Sequence, residues 1–347
     1  MRVWYDACTG KQVRYAAAIA KRLRKSGHEV ILTTREHPDT LSLAKYLKEN
    51  FQVIGKYAPA SFFTRLEASA ERVLEMSKLF QDNAPDLAIA HQSVELCRVA
   101  FGLNVPIILT ADTPYADAVN RLTIPLADTL VVSEAIPQRF FKNFGAKTIV
   151  QFKGVDEVAW IKDFVPSEKF DYKKPLIVLR QMETKAAYAL DKSDLTEILA
   201  KKLASLGTVL LLPRYNSRPR KDLLVLQAFV DSLNLATYAD LIINMGGTMA
   251  REAALLGTPS IVISTFTGSH VNEYVANKGF PLFIVDSSKV MSYAKKFVGR
   301  KWNVKEKLDE LENPIDVIEK IVQEKTAETN KKLKTGHSSD MPKGPVV

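Results

Sequence analysis

The chain has 347 residues, of which 46% are hydrophobic and 25% are charged, the composition of an ordinary soluble globular protein. These values exclude an intrinsically disordered chain, a collagen-like fibre and a small disulfide scaffold, and the length predicts about two domains. The formal net charge of +9 is spread along the sequence instead of being clustered with aromatic residues. We therefore expect a small anionic ligand and no nucleic-acid partner.

The cysteine content and the hydropathy of the sequence indicate in which cellular compartment the protein is expected. Cys8 and Cys97 are too few for a disulfide framework or a four-thiolate metal site, and we expect both to be buried as small apolar residues. The sequence begins without the apolar region of a signal peptide, and no stretch approaches the ~18 consecutive apolar residues of a membrane helix. A cytoplasmic protein without a transmembrane segment is expected, with peripheral membrane contact or a homo-oligomer left open.

In the first half of the chain, short apolar runs alternate with amphipathic segments. The predicted strands are Val3–Tyr5, Val30–Thr33, Val53–Gly55, Leu87–Ala90, Pro106–Leu109 and Thr129–Val132. The predicted helices are Gln12–Ser26, Leu41–Asn50, Phe62–Asp82 and Glu95–Phe101. This alternation is typical of parallel strands joined by right-handed crossovers, and it predicts a doubly wound sheet.

The strand–helix cycle restarts in the second half. The predicted strands are Leu176–Leu179, Val209–Leu212, Leu241–Asn244, Ser260–Ile263 and Leu282–Val285. Helices are predicted at Val290–Phe297 and Lys305–Glu324. The sequence thus predicts two α/β domains of Rossmann-like type, at 1–152 and 153–327, facing a cleft. The polar, aperiodic residues 328–347 are expected to form a disordered tail.

The segment Leu241–Ile263 carries the clearest binding signal. A buried strand ends at Asn244, Gly246 and Gly247 make a turn, and a helix begins near Thr248. Unpaired N–H groups at a helix N-terminus favour an anion, and the glycines let a phosphate approach the backbone. Glu252, one turn into the helix, is then a candidate ligand for ribose hydroxyls. A plain glycine turn between a strand and a helix is the alternative.

The run from Gly246 to Pro259 resembles the donor-nucleotide segment of GT-B glycosyltransferases of the MurG type. It is also similar to the corresponding segment of non-hydrolysing UDP-N-acetylglucosamine 2-epimerases. The resemblance implies donor contacts for His270 and Asn272, which begin the run HVNEYVANKG. With RVAFGLNVPII and RLTIPLAD in its first half, the chain more specifically resembles a largely archaeal "domain of unknown function 354" family, placed in the GT-B group, over about residues 1–325.

The chain departs from the MurG-type pattern in its loops. The loop Asp6–Gln12 offers a single glycine where those enzymes are glycine-rich, and the P-loop pattern is absent. Arg180 stands where a small-residue loop is expected after the first strand of the second domain. Arg180 and Arg214 both follow predicted strands, whose carboxyl ends face the ligand crevice in open α/β sheets. Both are candidate diphosphate ligands, with surface ion pairing as the alternative for Arg180.

Three side chains at strand ends of the first domain are candidate catalytic groups: Asp6, His91 and Asp112. A carboxylate or imidazole there can take a proton from an acceptor hydroxyl or from a sugar carbon. Asp112 is equally compatible with a loop cap and His91 with a structural role. No Asp-x-Asp motif and no zinc-type ligand pattern is present, so we expect a reaction without a metal or a cofactor.

The leading hypothesis is a GT-B-like enzyme that transfers a sugar from a nucleotide-diphosphate sugar to an unknown acceptor. The first domain would hold the acceptor and the second would hold the nucleotide. A sugar-nucleotide 2-epimerase is the first alternative, and it requires several acidic groups and a histidine around the sugar. A GT-B-like protein that binds a nucleotide sugar or a partner without catalysis is the second.

Overall fold

The computed structural model describes residues 1–58, 60–181, 195–213, 223–264 and 269–334. Its contacts divide the chain into two compact units. The first unit comprises residues 1–159 together with the chain from Glu312 onward, and the second comprises residues 160–311. The chain thus passes from the first unit to the second after Ala159, within the linker region near 152–175 that the sequence predicted, and it returns to the first unit at Glu312.

Seven parallel strands of the described residues form the sheet of the first unit, in the order β3-β2-β1-β4-β5-β6-β7. They are β1 (Arg2–Ala7), β2 (Glu29–Glu36), β3 (Gln52–Lys56), β4 (Leu87–His91), β5 (Ile107–Thr110), β6 (Thr129–Ser133) and β7 (Ile149–Phe152). The central strands are buried throughout because helices cover both faces of a parallel sheet. Their carboxyl ends meet at one edge, where we predicted the catalytic side chains.

Helices follow the strands of the first unit in chain order. They are α1 (Gly10–Lys25), α2 (Pro38–Tyr46), α3 (Phe62–Leu79), α4 (Val94–Gly102), α5 (Asp117–Thr123), α6 (Arg139–Lys142) and α7 (Val158–Ile161), the last of which spans the passage to the second unit. Thr9 caps α1 by accepting a hydrogen bond from the Gln12 backbone, which sets the start of that helix beside the end of β1.

The second unit contains six described parallel strands in the order β10-β9-β8-β11-β12-β13. They are β8 (Leu176–Arg180), β9 (Thr208–Leu212), β10 (Leu224–Val225), β11 (Leu241–Asn244), β12 (Ser260–Ile263) and β13 (Leu282–Val285). The helices are α8 (Thr196–Leu203), α9 (Ser232–Tyr238), α10 (Thr248–Leu255), α11 (His270–Asn277), α12 (Val290–Phe297) and α13 (Lys305–Asp309). Apolar side chains pack on both faces of this sheet.

The last described helix, α14 (Pro314–Lys334), belongs to the first unit. Arg22 of α1 binds its Asp316 at 2.7 Å and its Glu319 at 2.8 Å, and Ile318 is fully buried. The helix continues through residues 328–334, where a disordered tail was predicted because these residues are polar and aperiodic. A surface helix tolerates such a composition because only one of its faces has to pack. Residues 335–347 lie outside the described residues.

The predicted fold class is confirmed: two parallel sheets alternate with helices in an α/β arrangement. Each strand predicted from apolar runs is present, and the structure adds β7 and β10, which are short and partly exposed. Among the helices that the structure describes, none combines the length and the apolar character needed to cross a membrane.

Candidate functional site

Four side chains meet at the carboxyl edge of the first sheet. Lys11 lies in the first turn of α1, and His91 is the last residue of β4. Asp112 stands two positions after the end of β5, and Asp156 stands four positions after the end of β7. We call these four residues the Lys11 cluster.

The ammonium of Lys11 joins the two carboxylates of the cluster. Its Nζ atom lies 2.5 Å from Asp112 Oδ2 and 2.7 Å from Asp156 Oδ2. His91 Nε2 lies 3.4 Å from Asp112 Oδ1, and its Nδ1 lies 2.8 Å from the hydroxyl of Thr110. Asp112 is the most exposed member, with 15% of its side chain accessible, compared with 4% for Asp156. Asp112 is therefore the member best placed to meet a substrate.

The Lys11 cluster can accept a proton. Two carboxylates and one ammonium leave one negative charge in excess when the imidazole is neutral. Taking up one proton cancels that excess instead of adding charge to a buried site. The same His91, Asp112 and Asp156 offer ligand atoms within 4.8 Å of one another, a spacing that suits a metal ion. The Lys11 ammonium, in contact with both carboxylates, already supplies positive charge at that point.

Two tyrosines line the buried side of the cluster. Burial raises the pKa of Tyr5 and of Tyr15 well above the ordinary value, and the negative charge of Asp156 adds to both increases. The Tyr15 ring lies 6.1 Å from the His91 ring. Both phenols therefore remain protonated at neutral pH and can act on Asp156 only as neutral groups.

Asp6 belongs to a neighbouring network and not to the Lys11 cluster. Its carboxylate is fully buried and accepts hydrogen bonds from Arg72 at 2.8 Å, from Thr33 at 2.8 Å and from Ser93 at 2.6 Å. Burial, the largest single effect, lowers the Arg72 pKa, but Asp6 together with Cys8 and Glu95 more than offsets it, so the Arg72 pKa is raised above its usual value. Burial and the nearby Asp6 also raise the pKa of the Cys8 thiol. A catalytic role for Asp6 stays a prediction.

In the second unit, Glu252 lies on the buried side of α10 and is 2% exposed. Its Oε1 accepts a hydrogen bond of 3.0 Å from the Trp160 indole, and its Oε2 accepts one of 3.0 Å from the Ser232 hydroxyl. Trp160 is the first residue of this unit. Ribose binding by Glu252 stays a prediction, and it would require the ribose hydroxyls to share the carboxylate with these two donors.

The turn before α10 lies against α11. Arg251 donates a hydrogen bond of 2.9 Å to Asn272 Oδ1, and its guanidinium lies so close to Gly247 that any Cβ there would collide with it. A larger residue at position 247 would therefore have to displace the Arg251 guanidinium. Of the predicted ligands, Gly247 lies against Asn272, Gly246 and Thr248 are its neighbours in the chain, and His270 lies on the same helix as Asn272.

Of the two arginines predicted to bind the diphosphate, the structure describes Arg180 but not Arg214. Arg180 ends β8, which pairs with β11 through Leu179 and Ile243. Arg180 thus stands at the same sheet edge as the turn that follows β11, and it is half-buried. Arg214 lies outside the described residues, and its assignment to the diphosphate stays a prediction.

Sequence reasoning missed Lys11 and Asp156. Lys11 lies in the loop that we noted only for its lack of glycines, although its place directly after a strand end was a usable signal. Asp156 follows β7, which the sequence analysis did not predict. Only the folded chain brings it within 2.7 Å of Lys11.

Known proteins resemble this chain both in sequence and in fold. The chain is 30% identical over 332 residues to the uncharacterized protein MJ0665 of Methanocaldococcus jannaschii, covering 91% of this chain and 96% of that protein. The UDP-GlcNAc 2-epimerase of the same organism, in complex with UDP-GlcNAc and UDP, superposes with a TM-score of 0.67 at 14% identity, covering 93% of this chain and 99% of that one. The spinosyn forosaminyltransferase SpnP superposes with a TM-score of 0.56 at 15% identity, covering 94% and 99%.

At these identities the structural likeness shows the fold alone: it is the one shared by GT-B glycosyltransferases and UDP-GlcNAc 2-epimerases. The family description that matches the sequence, "Protein of unknown function (DUF354)", spans residues 1–327. The expected family is thereby confirmed, and the chain belongs to the DUF354 family.

Proposed function

We propose that the protein is an enzyme that transfers a sugar from a nucleotide-diphosphate sugar to an acceptor hydroxyl. The observation that carries this proposal is the Lys11 cluster. In it, the partly exposed Asp112 contacts the Lys11 ammonium through one carboxylate oxygen and the His91 imidazole through the other. An oriented base within reach of a strand-end crevice is what deprotonation of an acceptor requires. The first unit would supply the base and the second would bind the nucleotide.

In the proposed reaction, the acceptor oxygen attacks the anomeric carbon of the donor sugar. The bond between that carbon and the acceptor oxygen forms while the bond to the diphosphate breaks, and the acceptor proton passes to Asp112. The Lys11 ammonium lies 2.5 Å from Asp112 Oδ2 and holds this carboxylate in position for the acceptor hydroxyl. His91, in contact with the other oxygen of Asp112, steadies the carboxylate that receives the proton.

The second unit carries the groups that suit a nucleoside diphosphate. The turn at Gly246 and Gly247 leads into α10, where backbone N–H groups and the helix dipole favour the leaving diphosphate. Arg180 adds a positive charge at the same sheet edge. We assign the ribose hydroxyls to Glu252, and the further donor contacts to His270 and Asn272 on α11. This assignment uses no metal ion.

Epimerisation of a sugar nucleotide is the second candidate, and one observation favours it. His91, Asp112 and Asp156 place three proton-accepting groups within 4.8 Å of one another. A single deprotonation needs only one such group, whereas inversion at a carbon needs a proton to leave and a proton to return. This reaction requires no acceptor, and that difference separates the two candidates.

The test incubates the protein with UDP-, GDP-, ADP- and CDP-sugars, with and without a panel of acceptor alcohols. Transfer releases the nucleoside diphosphate only when an acceptor is present, whereas epimerisation changes the sugar without one. Asp112→Asn should lower turnover by about 100-fold or more. Asp117→Asn, a largely exposed carboxylate of α5, is the matched control and should leave turnover unchanged. A wild-type protein that neither binds nor changes any of these compounds would overturn the proposal, and binding without turnover would leave a non-catalytic binder.

A further inference from the structure

The loop that carries Asp112 continues into an exposed aromatic residue. Tyr115 follows Asp112 by three positions, so their Cα atoms lie within about 11 Å. The Tyr115 side chain is 58% exposed, although an aromatic ring of this size usually buries its faces. An exposed aromatic ring this close to the reactive carboxylate is where a substrate can pack.

Buried hydrogen bonds hold the loop in place. Asn120, which is fully buried, donates to the carbonyl oxygens of Thr113 and Pro114, both at 3.1 Å. Gln92 donates to the Asn120 side-chain oxygen at 2.6 Å. Gln92 directly follows His91 and has a left-handed backbone with φ of 52°, an unusual conformation for a residue other than glycine. The loop beneath Tyr115 is thus tied to the strand end that carries His91.

A second aromatic side chain and a cation stand beside Tyr115. The Phe140 ring lies 5.5 Å from the Tyr115 ring at 74°, an edge-to-face arrangement. The Arg139 guanidinium lies 5.2 Å from the centre of the Phe140 ring. Arg139 is exposed and forms no ion pair with another residue that the structure describes. The three residues follow strands β5 and β6, which are neighbours in the sheet.

We propose that Tyr115, Phe140 and Arg139 form an acceptor subsite for a sugar ring that carries a negatively charged group. A pyranose presents C–H groups on its face, and these pack on an aromatic ring while the hydroxyls at its rim stay solvated. Arg139 pairs with a carboxylate or a phosphate on that ring. The inference rests on the proposed function, since it names the acceptor class for the base Asp112.

The test measures direct binding of three probes without nucleotide, by calorimetry and saturation-transfer NMR: methyl glucoside, glucuronate and glucose 6-phosphate. Both anionic probes should bind more tightly than the neutral one, and the pair distinguishes a carboxylate from a phosphate. Tyr115→Ala should weaken binding of the tighter anionic probe by about tenfold, and Tyr115→Phe should retain it. Phe101→Ala, an aromatic residue of α4 that is 44% exposed, is the control and should change nothing.

Arg139→Gln should remove the preference for anionic probes while leaving binding of the neutral probe unchanged. Three outcomes would overturn the subsite: no probe binds, Tyr115→Ala binds as the wild type does, or the preference for anions survives in Arg139→Gln. Thermal unfolding of each variant confirms that it is folded. Because these measurements need no turnover, a failure of the proposed transfer reaction appears separately, as a protein that binds the probes but processes no nucleotide sugar.

Discussion

The Lys11 ammonium lies 2.5 Å from Asp112 Oδ2, although the two residues are separated by 101 positions in the chain. The start of α1 and the loop after β5 are joined across the intervening end of β4. Because both side chains are largely buried, water screens this pair only weakly and each charge depends on the other. The relationship places the proposed base in direct contact with a positive charge.

Replacing Lys11 by methionine should destabilise the first unit and abolish turnover. The substitution leaves Asp112 and Asp156 facing each other without a cation, and breaking a buried ion pair costs about 3–5 kcal/mol of unfolding free energy. Urea denaturation followed by circular dichroism measures the loss. Lys25→Met, at the exposed end of the same helix, is the control, and its effect should stay within about 0.5 kcal/mol. A Lys11→Met protein as stable as this control would show that the lysine does not hold the carboxylates.

Glu252→Gln should lower the affinity for a nucleoside diphosphate by about 10–100-fold, because the ribose hydroxyls lose a charged acceptor. The variant should remain folded. Its amide oxygen can accept from the Trp160 indole, while its NH₂ group donates to the Ser232 hydroxyl, which can act as an acceptor. Calorimetric titration of UDP, GDP, ADP and CDP measures the affinity.

The matched control for that titration is Glu273→Gln, in the first turn of α11. If Glu252→Gln binds nucleotide as the wild type does, Glu252 serves to anchor Trp160 and Ser232 and not to bind ribose. Glu252→Ala should then still unfold more easily than the wild type, because it leaves both donors buried without an acceptor.

Arg72→Met should destabilise the first unit by about 3–5 kcal/mol, because it leaves the fully buried Asp6 carboxylate without a cationic partner. The double variant Arg72→Met/Asp6→Asn should recover part of this loss, since it removes the orphaned charge as well. Arg65→Met, an exposed arginine on the same helix α3, serves as the control. Equal losses in the single and double variants would mean that Asp6 and Arg72 are not energetically coupled.

Cys8 and Cys97 should resist alkylation in the folded protein. Burial, reinforced by Asp6, raises the pKa of both thiols, so the reactive thiolate is scarce at about pH 8. Mass spectrometry after iodoacetamide treatment should find both cysteines unmodified in buffer and both modified in denaturant. Rapid labelling of native Cys8 would contradict the raised pKa and would point to an accessible thiolate.

The stability of the first unit should fall as the pH drops below about 6.5, in part because of His28. Its Nδ1 lies 3.3 Å from the N-terminal ammonium. Burial lowers the His28 pKa, and the nearby ammonium lowers it further. The folded state therefore binds a proton at His28 less readily than the unfolded state does. The stability that neutral His28 contributes is complete above the pKa that His28 has in the unfolded chain, and it is lost on acidification. His28→Gln keeps an acceptor for the ammonium but does not titrate. The difference in unfolding free energy between about pH 7.5 and pH 5 should be smaller in this variant than in the wild type.

Local patterns were sufficient to predict the strands and the fold class. Buried parallel strands need apolar runs, as at Leu87–Ala90, and crossover helices need an apolar stripe, so both leave a signal within a few neighbouring residues. The glycine turn before α10 was also predictable, because Gly246 and Gly247 stand directly between a buried apolar run and an amphipathic segment. The start of that helix could thus be predicted without knowing the fold.

Only the tertiary structure decided which polar side chains meet. His91 and Asp112 were predicted because each follows a predicted strand, yet nothing near them in the sequence indicates that Lys11 or Asp156 joins them. Lys11 lies 101 positions from Asp112 and 145 positions from Asp156 along the chain. The burial of Glu252 against Trp160 and the return of α14 to the first unit are likewise contacts between distant segments. Propensity and periodicity act over one or two turns, whereas the approach of two charges is set by how the strands are ordered in the sheet.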